Sequence, residues 1–442
     1  MTTEALADTA EVISVAPTPL ADNLRARILL YLAVLIVLLG FGSPAGGLID
    51  VPISFFLKNK LHLKAHEVAN FRLVAAIPLY LSFIFGFARD TWNPFGMRDR
   101  GFMVLFGTIA AAAYVFFAFT AVSYLSLLVA VALLTTAFLF VQAAQYGLTA
   151  AMGQQHVMSG QVSTVWNIFL SFPVLASYTI GGLLSDQLEG RNADQAARIL
   201  FLVGAGIMGS VALYGIWKPK SVFDNIHAEH GPRPHPFQDI KRLLRHRPIY
   251  PALLIWFLFS FAPGSSTPLQ YFLQNTLHAN DAQWGAWNAI FAASFIPTYI
   301  VFGLLCRRFP LRTLLLWGTV VAVPQMVPLY FIHSVNQALI AAAASGLMGG
   351  VATAAYVDLI IRSCPPGLQG TISMMSISLY WVAIRFGDVL GTNLYDHFGG
   401  FGICVIAITV VYALIIPVIF FVPKRLIATA DGETPEGGFG VD

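Results

Sequence analysis

Long apolar runs, separated by short polar or basic connectors, set the pattern of this chain. Measured against the ~20 residues that carry a helix across a bilayer, these runs predict twelve membrane-spanning helices. They cover residues 28–57, 69–88, 102–119, 124–151, 161–183, 197–217, 249–273, 284–306, 312–332, 336–362, 370–395 and 400–422. The pattern is stated twice. Pro52, Phe56, Leu57, Asn59, Leu61 and His62 return 216 residues later as Pro268, Phe272, Leu273, Asn275, Leu277 and His278. At an offset of 210, Tyr146, Gly160, Ser163, Gly181, Leu184 and Asp186 return as Tyr356, Gly370, Ser373, Gly391, Leu394 and Asp396. Two ordered blocks at nearly one offset predict an all-α integral membrane protein of twelve helices in two pseudo-symmetric six-helix bundles around a central cavity. The expected organisation is an N-terminal tail at 1–27, a first bundle at 28–217, a linker at 218–248, a second bundle at 249–422 and a C-terminal tail at 423–442.

The first run contains Gly40, Gly42, Ser43, Pro44, Gly46 and Gly47, and its repeat partner contains Pro263, Gly264, Ser265 and Ser266. Broken backbone at membrane depth is tolerated only where protein or a watery cavity satisfies it. Paired breaks in the first helix of each half therefore point to a solute route, with close helix packing by small residues as the competing reading. Polar residues cluster near these breaks and in two other helices: Asp50, Gln270 and Tyr271; Gln142, Gln145 and Tyr146; and Tyr356 with Asp358 beyond Gly346, Gly349 and Gly350. Such groups are costly against lipid tails and are expected to face the bundle interior, to meet a solute or to tie helices together.

With 57% apolar and 11% charged residues, the chain lies far from the soluble average of about 25% charged. Its few buried charges therefore carry weight. Asp50, Asp358, Arg385 and Asp388 fall inside predicted spans, where an ionisable residue is a functional hypothesis by default. Arg385 and Asp388 stand three apart on one helix and can pair; Asp50 and Arg385 share a depth and could meet across the cavity. A guanidinium grips a carboxylate through two parallel hydrogen bonds, so Arg385 is a candidate for binding an anionic or zwitterionic solute, with a structural ion pair as the alternative. Proton coupling needs a carboxylate that can be neutralised during the cycle. Asp50 is the first candidate for that task, with Asp358 and Asp388 behind it.

Of the 25 Lys and Arg, 18 fall in the tails and connectors that share a side with the linker, which puts both termini in the cytoplasm of a multi-pass protein of the cell inner membrane. The region before Arg25 lacks the basic start of a cleavable signal, and the tail after Arg425 is polar enough to be expected disordered. Within the linker, Pro232, Pro234 and Pro236 mark a hinge, and Phe237–Arg247 is a candidate amphipathic surface helix. No GxxxxGK[ST] phosphate loop is present, which excludes an internal ATPase. Three scattered cysteines indicate neither a disulfide framework nor a metal cluster. His62 and His278 repeat as connector residues with a shared turn-like role, and His227, Glu229 and His230 belong to a solvated segment. Neither an enzyme, a cofactor, a metal site nor a nucleic-acid partner is expected. A channel, or a membrane sensor or scaffold, is the alternative to a carrier.

The connector between the second and third runs reads GlyPheAlaArgAsp at 86–90 and continues to Arg100. It resembles the signature loop of the major facilitator superfamily, whose pattern is a glycine, an aspartate four later, then glycine followed by basic residues. Gly86, Asp90, Gly96, Arg98 and Arg100 can play those parts in conformational switching, the arginines reaching for Asp90 across the interface between halves. About three extra residues separate Asp90 from Gly96. In the second half Gly303 persists while Arg307 stands in place of the aspartate, so one half carries the lock. Within the superfamily the loop ending in AsnProPheGlyMetArgAspArg, the exit of the first run and the GlyGlyLeuLeuSerAsp end of the fifth are most similar to the folate-biopterin transporter branch, with the muropeptide permeases next. The resemblance implies a secondary active carrier that acts as a monomer by alternating access. It further implies symport of a small anionic, pterin-like solute with protons, which suits Arg385 and the aromatic Phe55, Phe56, Tyr271, Phe272 and Trp381. A drug or metabolite exporter is the other reading within the superfamily.

Overall fold

A computed structural model describes residues 20–63, 65–223 and 236–433, and they are helical almost throughout. In chain order the helices are α1 (Asp22–Gly42), α2 (Asp50–Asn59), α3 (Ala65–Ala75), α4 (Ile77–Tyr80), α5 (Ser82–Thr91), α6 (Asp99–Ala118), α7 (Tyr124–Gln155), α8 (Ser159–Glu189), α9 (Ala193–Ile216) and α10 (Lys220–Phe223). There follow α11 (Pro236–Arg245), α12 (Ile249–Ser260), α13 (Thr267–Tyr271), α14 (Asp281–Leu305), α15 (Leu311–Ala322), α16 (Val335–Ser363), α17 (Gln369–His397), α18 (Phe401–Ala413), α19 (Ile415–Ile419) and α20 (Lys424–Ile427). Among the described residues, nine helical segments are long and apolar enough to cross a membrane. The remaining predicted spans depart from that ideal for local reasons. The second run is divided into α3, α4 and α5, the seventh stops at Ser260, and α17 carries Arg385 and Asp388 along its 29 residues. His227, Glu229, His230, Pro232 and Pro234 lie outside the described residues.

Both broken helices have the backbone their glycines allow. Gly46 (φ +83°) and Gly264 (φ +108°) occupy the left-handed region that disfavours a side chain. Around them the two competing readings divide: a Cβ on Gly40 would run into Pro173 and one on Gly264 into Cys404, whereas a Cβ on Gly46 would meet nothing within 4 Å. Gly346, Gly349 and Gly350 are packing glycines, since a Cβ there would collide with Phe291, Gln325 and Thr298.

The repeat is visible in atomic detail. Leu61 donates its amide to the Phe56 carbonyl at 3.2 Å, as Leu277 does to Phe272 at 3.2 Å. His62 (φ +53°) and His278 (φ +58°) then take the same left-handed turn. Apolar packing is divided accordingly. One core is built mainly from residues between Ile28 and Val222, and a second mainly from residues between Ala252 and Ile427.

Hydrogen bonds between the halves lie mainly where the linker and C-terminal tail are, and Ser82 adds two beside Met374, to the Met374 carbonyl and the Ser378 hydroxyl at 2.9 Å each. Gln154 donates to the carbonyls of Ile361 (2.8 Å) and Cys364 (2.7 Å), and Ser163 to that of Ala354 (2.6 Å). Nearby, a ring nitrogen of His246 meets the Ser363 carbonyl at 3.1 Å, which ties the linker to the same side. The expected disorder after Arg425 is corrected up to residue 433: α20 forms, Leu426 and Ile427 join the second core, and Asp431 is only 7% exposed.

Candidate functional site

Away from the linker side, side chains from both halves converge on a polar aromatic cluster. Tyr146 (α7) lies with its ring centroid 3.9 Å from that of Trp166 (α8), and its hydroxyl accepts a hydrogen bond from Gln142 at 3.3 Å. Trp381 (α17) packs against the same cluster from the other half. The break after α1 brings Ala45 to it, and α4 brings Leu79 and Tyr80. The Tyr80 hydroxyl is enclosed with no hydrogen-bond partner. Tyr380, beside Trp381 at 5.7 Å between centroids, lies within electrostatic range of both Tyr146 and Tyr299. Trp166, Tyr80, Tyr299 and Tyr380 carry no polar signature beyond ordinary aromatic side chains, so the sequence did not separate them from core residues.

Other residues with expected solute contacts fall elsewhere. Gln145 is buried and donates to Thr149 at 3.0 Å, and Tyr356 shares a 2.8 Å hydrogen bond with Thr319 inside the second core. Gln270 makes a 3.4 Å contact with Gln274, and Tyr271 is exposed.

The expected pairing of Arg385 with Asp388 does not form. Asp388 instead accepts from the Thr267 amide (2.9 Å) and hydroxyl (2.8 Å), holding the restart of the broken seventh helix. Arg385 is exposed, with no ion pair or hydrogen bond among the described residues. Asp50 opens α2, accepts a hydrogen bond from the Gly46 backbone and feels Arg72 of its own half rather than Arg385. Asp358 is fully buried against Arg362 at 2.9 Å, on the linker side and far along α16 from its glycines.

The second arrangement is the loop lock. Asp90, its side chain wholly buried, accepts from the amides of Gly370 (3.1 Å) and Thr371 (2.6 Å) and from the Thr371 hydroxyl (2.7 Å) at the start of α17. Its guanidinium partner is Arg89 at 2.8 Å, which also grips Asp99 at 2.6 Å. The expectation that Arg98 and Arg100 reach for Asp90 is thereby corrected. Arg100 donates to the carbonyls of Gly215 (3.0 Å) and Ile216 (2.6 Å), closing the end of α9. Arg98, at φ +53°, is held by its amide to Asn93 at 2.7 Å. The extra loop residues explain the difference, because Phe95 (φ +56°), Gly96 (φ +68°) and Arg98 turn the chain sharply before α6 begins. Gly86 is required for contact: a Cβ there would strike the Gly370 backbone. Burial pushes the Asp90 carboxyl up while Arg89 and Thr371 oppose that shift.

The fold is shared with solved transporters. The chain matches FucP in its outward conformation with a TM-score of 0.67 at 14% identity, covering 89% of this chain and 98% of that one. A human organic anion transporter, TETRAN, gives 0.64 at 15% identity with 89% and 98% covered. The proton:xylose symporter XylE gives 0.65 at 11% with 90% and 96% covered. Among proteins compared by sequence, the folate-biopterin transporter of Synechocystis sp. is 23% identical over 413 residues, which span 86% of this chain and 79% of that one. Residues 156–387 match the family model of the Major Facilitator Superfamily; with two cores, broken first helices and the loop lock, the chain belongs to that superfamily of membrane transporters and is not an enzyme.

Proposed function

We propose that the chain is a twelve-span secondary active transporter of two six-helix bundles, 28–217 and 249–422, that carries a small organic anion by alternating access with protons. Both termini face the cytoplasm in this reading, and the protein works as a monomer in the inner membrane. The observation that carries it is the aromatic cluster of Tyr146, Trp166 and Trp381, contributed by both halves. A solute seated there would stack on aromatic faces, take hydrogen bonds from Gln142 and the Tyr80 hydroxyl, and offer its anionic group to Arg385. Arg385 suits that task because no carboxylate of the described chain occupies its fork.

The relative in Synechocystis supports a folate- or pterin-like solute, which is flat, aromatic and anionic and fits these groups. Fold neighbours named as proton symporters support proton coupling, for which Asp50 remains the first carboxylate because it sits at the helix break. Reconstitution in proteoliposomes tests the proposal: a folate or biopterin should accumulate under an inwardly acid-driven proton gradient, without ATP, and a protonophore should abolish the accumulation. Absence of both binding and gradient-driven flux across a panel of aromatic anions would overturn it.

A further inference from the structure

The loop sequence leaves the second half without a lock, yet the structure holds one. Gly160 and Gly370 are repeat partners near the starts of α8 and α17. Asp90 of the first half grips the amides of Gly370 and Thr371; Asp431, from the tail of the second half, grips those of Gly160 (3.0 Å) and Gln161 (2.9 Å). The surrounding charges correspond as well. Asp90 pairs with Arg89, which is held by Asp99; Asp431 pairs with Arg362 at 3.2 Å, which is held by Asp358 at 2.9 Å.

The site where a loop aspartate would stand is occupied differently. Cys306 and Arg307 follow Gly303 where Arg89 and Asp90 follow Gly86. Arg307 turns aside to donate to the Gln161 side chain at 2.8 Å, and the Cys306 thiol lies 3.8 Å from the Asp431 carboxylate. A Cβ on Gly160 would press on Cys306 and Asp431, as one on Gly370 would press on Arg89 and Asp90. The tail is also fastened by its backbone: the Asp431 amide donates to the Cys306 carbonyl (2.9 Å) and that of Gly432 to Val157 (2.8 Å), while Arg362 donates to the Thr429 carbonyl at 3.0 Å.

We propose that Asp431 is the second half's gate carboxylate, delivered by the C-terminal tail to the place its loop leaves vacant, and that opening the linker side requires its release. The inference rests on the alternating-access reading. Each half then holds the first turn of a helix from the other, and separating the halves must break both grips. The locks differ in attachment: Asp90 is carried on α5, whereas Asp431 is carried on the non-helical chain that follows α20.

Native thiols supply the test, since Cys306 lies at the tail lock and Cys364, with its carbonyl 2.7 Å from Gln154, lies at the interface beyond it. Full-length protein in proteoliposomes is exposed to N-ethylmaleimide, and mass spectrometry follows each cysteine separately. Asp431→Ala should speed modification of Cys364, the remote thiol, by about tenfold or more, and Asp90→Asn should do the same for Cys306. Faster labelling of Cys306 alone in Asp431→Ala would show local uncovering and would overturn the proposal. So would an unchanged Cys364 rate. If Asp90→Asn exposes Cys306 while Asp431→Ala leaves Cys364 shielded, the tail lock fails and alternating access stands; if neither remote thiol responds, both fail. Should the alanine variant not fold, Asp431→Ser, whose short hydroxyl cannot bridge both amides, is judged by the same criteria.

Discussion

Gly160 and Gly370 present their amides to carboxylates from the opposite half, at 3.0 Å from Asp431 and 3.1 Å from Asp90. Glycine suits both places because Cys306 and Asp431 at Gly160, and Arg89 and Asp90 at Gly370, crowd the space a side chain would fill. The same contact therefore closes the same side of the protein twice, by different routes of chain.

Asp90→Asn keeps an acceptor for one amide but loses the ionic bond to Arg89. A hydrogen bond to a charged group contributes roughly 1.5–3 kcal/mol, so the balance between open and closed linker sides should shift by about tenfold or more. Distance measurements between spin labels on the two halves check this. Solute affinity should change much less, and an unaltered distance distribution would remove the role.

The tail lock should respond to pH. Burial and the neighbouring Asp358 push the Asp431 carboxyl up to about 6, with Arg362 opposing; in a released tail it returns towards the ordinary value near ~3.9. The docked tail thus binds the proton more tightly than the free one, so docking is strongest below the free value and weakens as pH rises through the docked value. The shift corresponds to a change on the order of 100-fold in the docking equilibrium. The ratio of the Cys364 labelling rate in the parent to that in Asp431→Asn, taken at each pH, cancels thiol chemistry and should rise as pH climbs through this window; a flat or falling ratio refutes it.

Arg385→Lys retains charge but loses the planar fork. Affinity for an anionic solute should fall by roughly tenfold, while thermal stability stays unchanged because Arg385 is exposed and makes no ion pair among the described residues. Equal affinity in the two proteins, measured by calorimetry, would move anion recognition to another residue.

Asp50→Asn imitates a permanently protonated carboxyl. Counterflow exchange should persist and uphill, proton-driven accumulation should disappear. Normal accumulation by this variant would transfer coupling to Asp358 or Asp388.

Asp388→Ala leaves the Thr267 amide and hydroxyl without their acceptor. These bonds are part-buried, so their loss should cost roughly 0.5–1.5 kcal/mol and lower the melting temperature modestly, with solute affinity retained in the protein that folds.

Much of this architecture can be read from the chain because it is written in local chemistry. The glycine and proline breaks, the turns at His62 and His278, and Asp90 four residues after Gly86 all depend on nearest neighbours. The partners of charges do not. Arg89 and Arg98 are equally plausible beside Asp90 in one dimension, and only the strained turn at Phe95–Arg98 decides between them. Asp388 looks paired with Arg385 by helical spacing, yet the broken seventh helix offers two donors at 2.9 and 2.8 Å. Asp431 was hidden most completely. Its setting of Gly, Glu, Thr and Pro has the composition of a solvated end, and its burial follows from Arg362, which appears in sequence as one more basic residue at a helix terminus.

The placement of one lock beyond the last helix, α20, has a practical side. A reporter or affinity tag fused close behind Asp431 would load or loosen one fastener while leaving the other intact. If Asp431 is a gate carboxylate, transport assays on protein tagged there would measure altered closing, and a tag ahead of α1 would separate the handling of the protein from its gating.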